Sequence, residues 1–185
     1  VGEIEDAIER ADQEAFTRRP PKTLKGQIGF LLKQMKSAKA VAQELGITAD
    51  SVNRYRRGAR KNPPKDIRQK IDAAVRVRWQ PQVRKRRRKQ AATTGGVTVE
   101  TRARFGYTAP IGTTDDGRFR RLTAHLPPEY ARRLFDARDA GAGDQQMRRI
   151  IAEGFKEVYF QDGGGRARGL SDVAINDIDY LDLDY

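Results

Sequence analysis

The 21 residues from Ser37 to Arg57, SAKAVAQELGITADSVNRYRR, admit few folds. Ser37 is a helix-capping residue, and Val41, Ala42 and Leu45 follow at helical spacing. Gly46 ends that helix, because a residue without Cβ enters the left-handed region at little cost. Thr48 caps a second helix running to about Arg57. Gly58 and Pro63-Pro64 close the unit. Small Ala42 falls where the two helices touch, with Gly46 four residues later and β-branched Val52 six beyond that. Val41, Leu45, Ile47 and Tyr55 fill the remaining inward positions.

This spacing resembles a helix-turn-helix. In that motif the second helix enters the major groove with its N-terminal residues at base edges. Thr48, Asp50, Ser51, Asn53 and Arg54 are then the outward candidates. Asn53 suits adenine and Arg54 suits guanine. Arg56, Arg57, Arg60 and Lys61 suit phosphates. The competing reading is an ordinary helical hairpin with a solvated basic face. Dense cations after the second helix favour DNA.

More helices flank the motif. Ile4, Ala7, Ile8, Ala11 and Ala15 share one face of an acidic N-terminal helix, a pattern unlike a secretory leader. Pro20-Pro21 stops it, and Thr23 caps a helix with Leu24, Ile28, Leu31, Leu32 and Met35 inward. Ile67, Ile71, Ala74 and Val75 mark another, ending before Pro81. The expected first domain is therefore helical, residues 1–80, with the helix-turn-helix at 37–58.

Charge separates the rest. Net charge is +12, yet residues 1–16 carry −5, residues 17–104 carry +20 and residues 105–185 carry −3. A basic block of that size points to a polyanion. Within it, Arg84, Lys85, Arg86, Arg87, Arg88 and Lys89 are consecutive cations followed by QAATTGGVT. Residues 81–104 read as a flexible basic linker whose cation run tracks phosphates. Beyond it, 105–160 reads as a smaller α/β module, and 161–185 as a glycine-rich linker with an acidic tail, whose alternation of aspartate with Val173, Ile175, Ile178, Tyr180, Leu181 and Leu183 suits a strand added to a partner, a fold-back on the basic block or plain disorder. The overall expectation is a mainly α chain with a smaller α/β part of strand, helix and helix.

In that module RFRRLTAHLP alternates, setting Phe119, Leu122, Ala124 and Leu126 against Arg121, Thr123 and His125. Pro127-Pro128 ends the strand. Tyr130, Leu134 and Phe135 then mark a helix, Gly141–Gly143 a break, and Asp144 the cap of a further helix. The order is similar to ribbon-helix-helix proteins, in which strands of two subunits pair and outward strand residues read DNA. Pairing of two copies through this half is one expectation. A solvated edge of a net-acidic α/β unit is the simpler one.

Other chemistries have little to build on. There is no cysteine and one histidine, so disulfides, thiolates and a histidine metal site are not expected. No apolar run is long enough for a membrane span, so no membrane insertion is expected. His125 reads as a polar strand residue. Adjacent carboxylates Asp115-Asp116 make a weak metal site and suit a solvated loop.

Four stretches together are recognisable. GEIEDAIERAD, TLKGQIGFLLKQMK, SVNRYRRGARKNPP and GTTDDGRFRRLT resemble the telomere terminal proteins of linear Streptomyces chromosomes and plasmids, and the resemblance covers essentially the full length. It implies a protein joined covalently to the 5′ ends of linear replicons, cytoplasmic and nucleoid-associated at those ends. Such a protein primes the synthesis that fills in telomeric DNA with a single-stranded 3′ overhang. It implies as partners a telomere-associated protein, a DNA polymerase and a topoisomerase. It implies no cofactor of its own, with Mg²⁺ and deoxynucleotide at the partner polymerase. It points to Thr114 as the accepting hydroxyl, with Thr113 as the fallback.

From the residues alone the hydroxyl stays open. Thr113-Thr114 also suits a turn with two capping hydroxyls, Thr93-Thr94 lies in a comparable stretch, and Tyr107 is chemically able. Two rival functions stand beside this one. A helix-turn-helix transcriptional regulator binds DNA reversibly. A self-labelling nucleotidyltransferase needs a carboxylate cluster, of which only Asp115-Asp116 is visible.

Overall fold

The computed structural model describes residues 2–108, 118–165 and 169–185. The chain is mainly helical with one small antiparallel sheet. It divides into two units, Phe16–Pro81, and Val1–Ala15 together with Gln82–Tyr185. In sequence, the first unit is thus an insertion into the second.

The inserted unit holds α2 (Leu24–Met35), α3 (Ala38–Leu45), α4 (Ala49–Arg57) and α5 (Lys65–Arg78). Ile28, Leu31, Val41, Leu45, Val52, Tyr55 and Ile71 are fully or almost fully buried in one core. Its two chain ends are tied to each other. Gln80 Oε1 accepts from the Thr17 backbone N–H at 3.0 Å, and Gln80 Nε2 donates to Thr17 Oγ1 at 2.9 Å. Trp79 Nε1 also donates to the Arg18 carbonyl at 2.9 Å. Adjacent ends are what an inserted domain requires.

The second unit begins with α1 (Glu3–Glu14), resumes at α6 (Pro81–Gln90), and continues through a π-helical turn, Ala91–Gly95. Strands β1 (Val97–Thr108) and β2 (Arg118–Leu126) follow, then α7 (Pro128–Asp139), α8 (Asp144–Phe155) and β3 (Asp172–Asp184). The sheet order is β2-β1-β3 with both pairings antiparallel. Val97, Val99, Ala103 and Phe105 of β1 point into a core built with α1, α7 and α8. Thr98, Glu100, Arg102 and Arg104 alternate onto the opposite face, the ordinary pattern for an antiparallel sheet covered on one side. Two glycines permit the packing. Gly96 has φ +71° and ψ −164°, and a Cβ there would collide with the Leu126 carbonyl oxygen. A Cβ on Gly154 would stand 2.6 Å from Leu126 Cδ1.

This division differs from the expected domains in three places. Helix α1 belongs with the C-terminal unit, because its acidic side faces the cations of α6. Residues 81–104 are helix, π-turn and strand rather than a flexible linker. Repulsion among Arg84–Lys89 is offset because Arg84 bonds both oxygens of Glu9 (3.1 and 2.9 Å) and Arg88 bonds buried Asp12. The acidic tail is strand β3. Val173, Ile175, Leu181 and Leu183 enter the core, while Asp177 and Asp179 meet Arg104 and Arg102.

Three smaller corrections follow. Phe119 lies on the exposed face with Arg121, Thr123 and His125, not with Leu122 and Ala124. Strict two-residue alternation demands this, since 119 has the parity of 121. Asp144 does not cap its own helix. Its Oδ1 accepts from the Ile4 N–H at 2.9 Å and so caps α1. Strand β2 pairs with β1 of its own chain, so its inner edge is not available to a second copy.

Candidate nucleic-acid interface

Local chemistry builds the helix-turn-helix. Ser37 Oγ accepts from the N–H groups of Lys39 (3.2 Å) and Ala40 (3.4 Å), so α3 starts there. Gly46 takes the left-handed conformation (φ 68°, ψ 36°), and Ile47 N–H closes on the Ala42 carbonyl at 2.9 Å. Thr48 Oγ1 then accepts from Ser51 N–H at 3.2 Å and starts α4. Three satisfied ends and a buried Ala42 at the crossing fix how α4 is presented.

The outward side of α4 carries the expected readers. Thr48 and Arg54 are exposed, and Ser51 and Asn53 are half-buried. Arg54 is not a free cation, because its Nε lies 2.8 Å from Asp50 Oδ2 one turn earlier. Asp50 thus orients the guanidinium and leaves donors for an acceptor pair. Arg57 Nε reaches the Asn53 carbonyl at 3.4 Å. Arg60 lies over the Tyr55 ring at 5.8 Å, and Lys61 is exposed beyond it.

A groove of about 460 Å³ runs beside these residues, lined by Gly29, Leu32, Lys33, Lys36, Ala38, Asn53 and Arg56. Lys33 and Lys36 were not singled out in the sequence. The signal lies in geometry. Lys36 has φ 58°, which ends α2 beside α4 and turns its side chain into the groove. The groove therefore gathers three cations around Asn53 and no carboxylate.

The six-cation run is divided by helical periodicity. Arg84 and Arg88, one turn apart, face Glu9 and Asp12. Lys85, Arg86 and Lys89 are exposed, and Arg87 is half-buried. Lys85, Arg86 and Lys89 therefore form the solvent-facing cations available to a polyanion, while Arg84 and Arg88 serve the fold. Burial lowers the Arg88 pKa, but the hydrogen bond and charge of Asp12 outweigh it, and the net direction is upward.

Thr113 and Thr114, with Asp115 and Asp116, lie outside the described residues. Their segment joins β1 to β2, strands paired from Val97↔Leu126 to Phe105↔Arg118. Two of the rival hydroxyls, Thr93 and Thr94, are engaged, as are two tyrosine hydroxyls. Thr93 Oγ1 donates to the Lys89 carbonyl at 2.8 Å, and Thr94 Oγ1 donates to the Gln90 carbonyl at 3.3 Å, within the π-turn. Tyr180 donates to Glu100 at 2.8 Å, and desolvation together with that carboxylate raises its pKa. Tyr130 donates to Glu157, and burial followed by that bond raises its pKa too. The Tyr107 side chain is outside the described set. His125 Nδ1 lies 3.0 Å from Thr98 Oγ1, a polar strand contact.

Among the described residues, no group of three or more His, Asp or Glu side chains could hold a metal ion. No described helix is long and apolar enough to cross a membrane. No family model, curated protein or solved structure matches this chain.

Proposed function

We propose that this chain is a terminal protein of linear replicons, a DNA-binding primer that becomes joined to 5′ DNA ends. The observation that carries the reading is the hairpin. The GTTDDGRFRRLT stretch spans the connection between β1 and β2, and a capped helix-turn-helix stands in the same chain. A protein primer replaces the 3′-hydroxyl of a growing strand. It needs an alcohol that reaches a polymerase site, and in the sequence Gly112 and Gly117 flank the threonine pair.

The chemistry is simple for this chain. The Thr114 Oγ attacks the α-phosphorus of a deoxynucleoside triphosphate. A P–O bond to threonine forms, the bond to the β-phosphate breaks, and pyrophosphate leaves. The hydroxyl proton passes to the polymerase site, whose metal ions activate the oxygen and stabilise the leaving group. Thr113 is the neighbouring alternative. Telomeric DNA with a 3′ overhang, a telomere-associated protein, a polymerase and a topoisomerase are the partners of this reading.

A second reading rests on the inserted unit, which has its own core and a complete helix-turn-helix. That suits a reversible transcriptional regulator. DNA extracted from cells in hot detergent separates the two. The primer reading expects protein on replicon ends until protease is added. Protein-free ends in every extract would leave the regulator.

A further inference from the structure

The sheet of the second unit has one open face, and its composition is uneven. At the end next to residues 109–117, Phe119 stands 47 % exposed. Arg104 lies 5.2 Å and Arg102 5.9 Å from its ring centre. Arg121 lies 5.9 Å from the Tyr180 ring centre on the same face. At the far end the face turns acidic around Thr98 and Thr123, with Asp184 and with Asp182, which Arg10 meets at 3.0 Å, while Glu100 lies between the two ends and is bonded to both Arg121 and Tyr180.

We propose that the loop-proximal half of this face is a single-stranded DNA platform. Phe119 and Tyr180 stack bases, and Arg102, Arg104 and Arg121 hold phosphates. An aromatic ring standing proud of a flat sheet, framed by guanidinium groups, offers what an unstacked strand needs. A duplex keeps its base faces covered and gains nothing from the ring.

The arginines already have partners, and those partners are replaceable. Arg102 meets Asp179 at 2.7 Å, Arg104 meets Asp177 at 3.6 Å and Arg121 meets Glu100 at 2.5 Å, with all six side chains more than a third exposed. Exposed pairs of this kind contribute little, so a phosphate can take the place of each carboxylate. Strand β3 thus acts as a built-in competitor along one edge. Asp182 and Asp184 of the far half disfavour the backbone, which confines the strand to the end where β1 stops and β2 starts. Naming that strand the 3′ overhang rests on the primer reading, whereas the platform itself does not.

The test uses the full chain and a fluorescein-labelled oligothymidylate of about 15 nucleotides, read by anisotropy without polymerase or nucleotide. Phe119→Ala is expected to weaken binding by about fivefold or more, since one stacked base is lost. Phe119→Trp restores it, and duplex affinity stays unchanged in both. Joint Asp177→Asn and Asp179→Asn tightens single-strand binding by freeing the arginines. Equal affinity of wild type and Phe119→Ala overturns the platform. Oligouridylate bound as tightly as oligothymidylate overturns the assignment to DNA. A thermal melt verifies that each variant is folded, which exposed positions permit. Failure of nucleotide attachment at Thr113-Thr114 would leave these outcomes untouched.

Discussion

Asp12 and Arg88, 76 positions apart in the chain, form a buried ion pair that joins the first helix to the cation run. Arg88 Nε donates to Asp12 Oδ1 at 3.2 Å, and its Nη2 donates to the other oxygen. Tyr185 donates to the same Oδ1 at 2.7 Å, and its ring meets Phe135 edge-on at 5.0 Å. Asp12 is fully buried. Three distant segments of the chain are therefore registered by one carboxylate.

Removing that carboxylate leaves the largely buried Arg88 with only exposed Asp139, 3.8 Å away, as counter-charge. Asp12→Ala is expected to destabilise the protein by about 3–5 kcal/mol in chemical denaturation. Replacing the pair together, Asp12→Leu with Arg88→Met, is expected to be near neutral, since both desolvation costs vanish. Glu9 still serves Arg84 in that variant. A double variant as unstable as Asp12→Ala would mean that the pair supplies more than charge balance.

The Tyr185 phenol gives the network a pH dependence. Burial first, then the Asp12 charge, raises its pKa above the ordinary tyrosine value. The fold therefore favours the neutral phenol. Its contribution is intact below about pH 10, the unfolded value, and is lost as pH rises toward the folded one. The stability gap between wild type and Tyr185→Phe should be flat at neutral pH and narrow under more alkaline conditions. Tyr130 is shifted the same way and is present in both proteins, so it cancels in the comparison. A gap that widened with alkalinity would contradict the assignment.

Two glycines separate backbone strain from collision. Gly141 (φ +76°) has open space where a Cβ would go, so Gly141→Ala costs roughly 1–2 kcal/mol of strain alone. Gly96→Ala adds a clash with the Leu126 carbonyl to an unfavourable φ/ψ, and is expected to abolish two-state folding or cost well over ~2 kcal/mol. Circular dichroism melts of the two variants give the comparison.

At the helix-turn-helix, base readers and phosphate holders should behave differently. Asn53→Ala and Arg54→Ala are expected to relax sequence preference, at about 1–3 kcal/mol per position. Lys33→Ala, Lys36→Ala and Arg60→Ala are expected to weaken all sequences alike and to lower the salt slope by about one each. Binding isotherms at several salt concentrations measure both. Asp50→Asn, which releases Arg54, should loosen specificity without abolishing binding.

What the sequence disclosed follows a physical divide. Thr23, Ser37, Thr48, Gly46 and Gly58 were legible because capping depends on neighbours three or four positions away. The core faces of α2 to α5 were legible for the same reason. The helix through Arg84–Lys89 was not, because its stability comes from Glu9 and Asp12, supplied by a segment some 75 residues earlier. The tail was left open between disorder and a strand. Its alternate apolar residues complete the sheet of its own chain, whose other strands lie far upstream. The cationic groove beside Asn53 required the packing of α2 against α4. Thr114, with Thr113 as fallback, was singled out by a resemblance alone, and not by any periodicity.

The central claim is tested most directly by identifying the residue joined to DNA. Protein isolated on the ends of its own replicon, trimmed with nuclease and digested to peptides, would be read by mass spectrometry. The primer account predicts one nucleotide adduct on the peptide spanning Ile111–Phe119, fragmenting to Thr114. An adduct on Thr93, Thr94 or a tyrosine, or no adduct on protein that still occupies the ends, would contradict it.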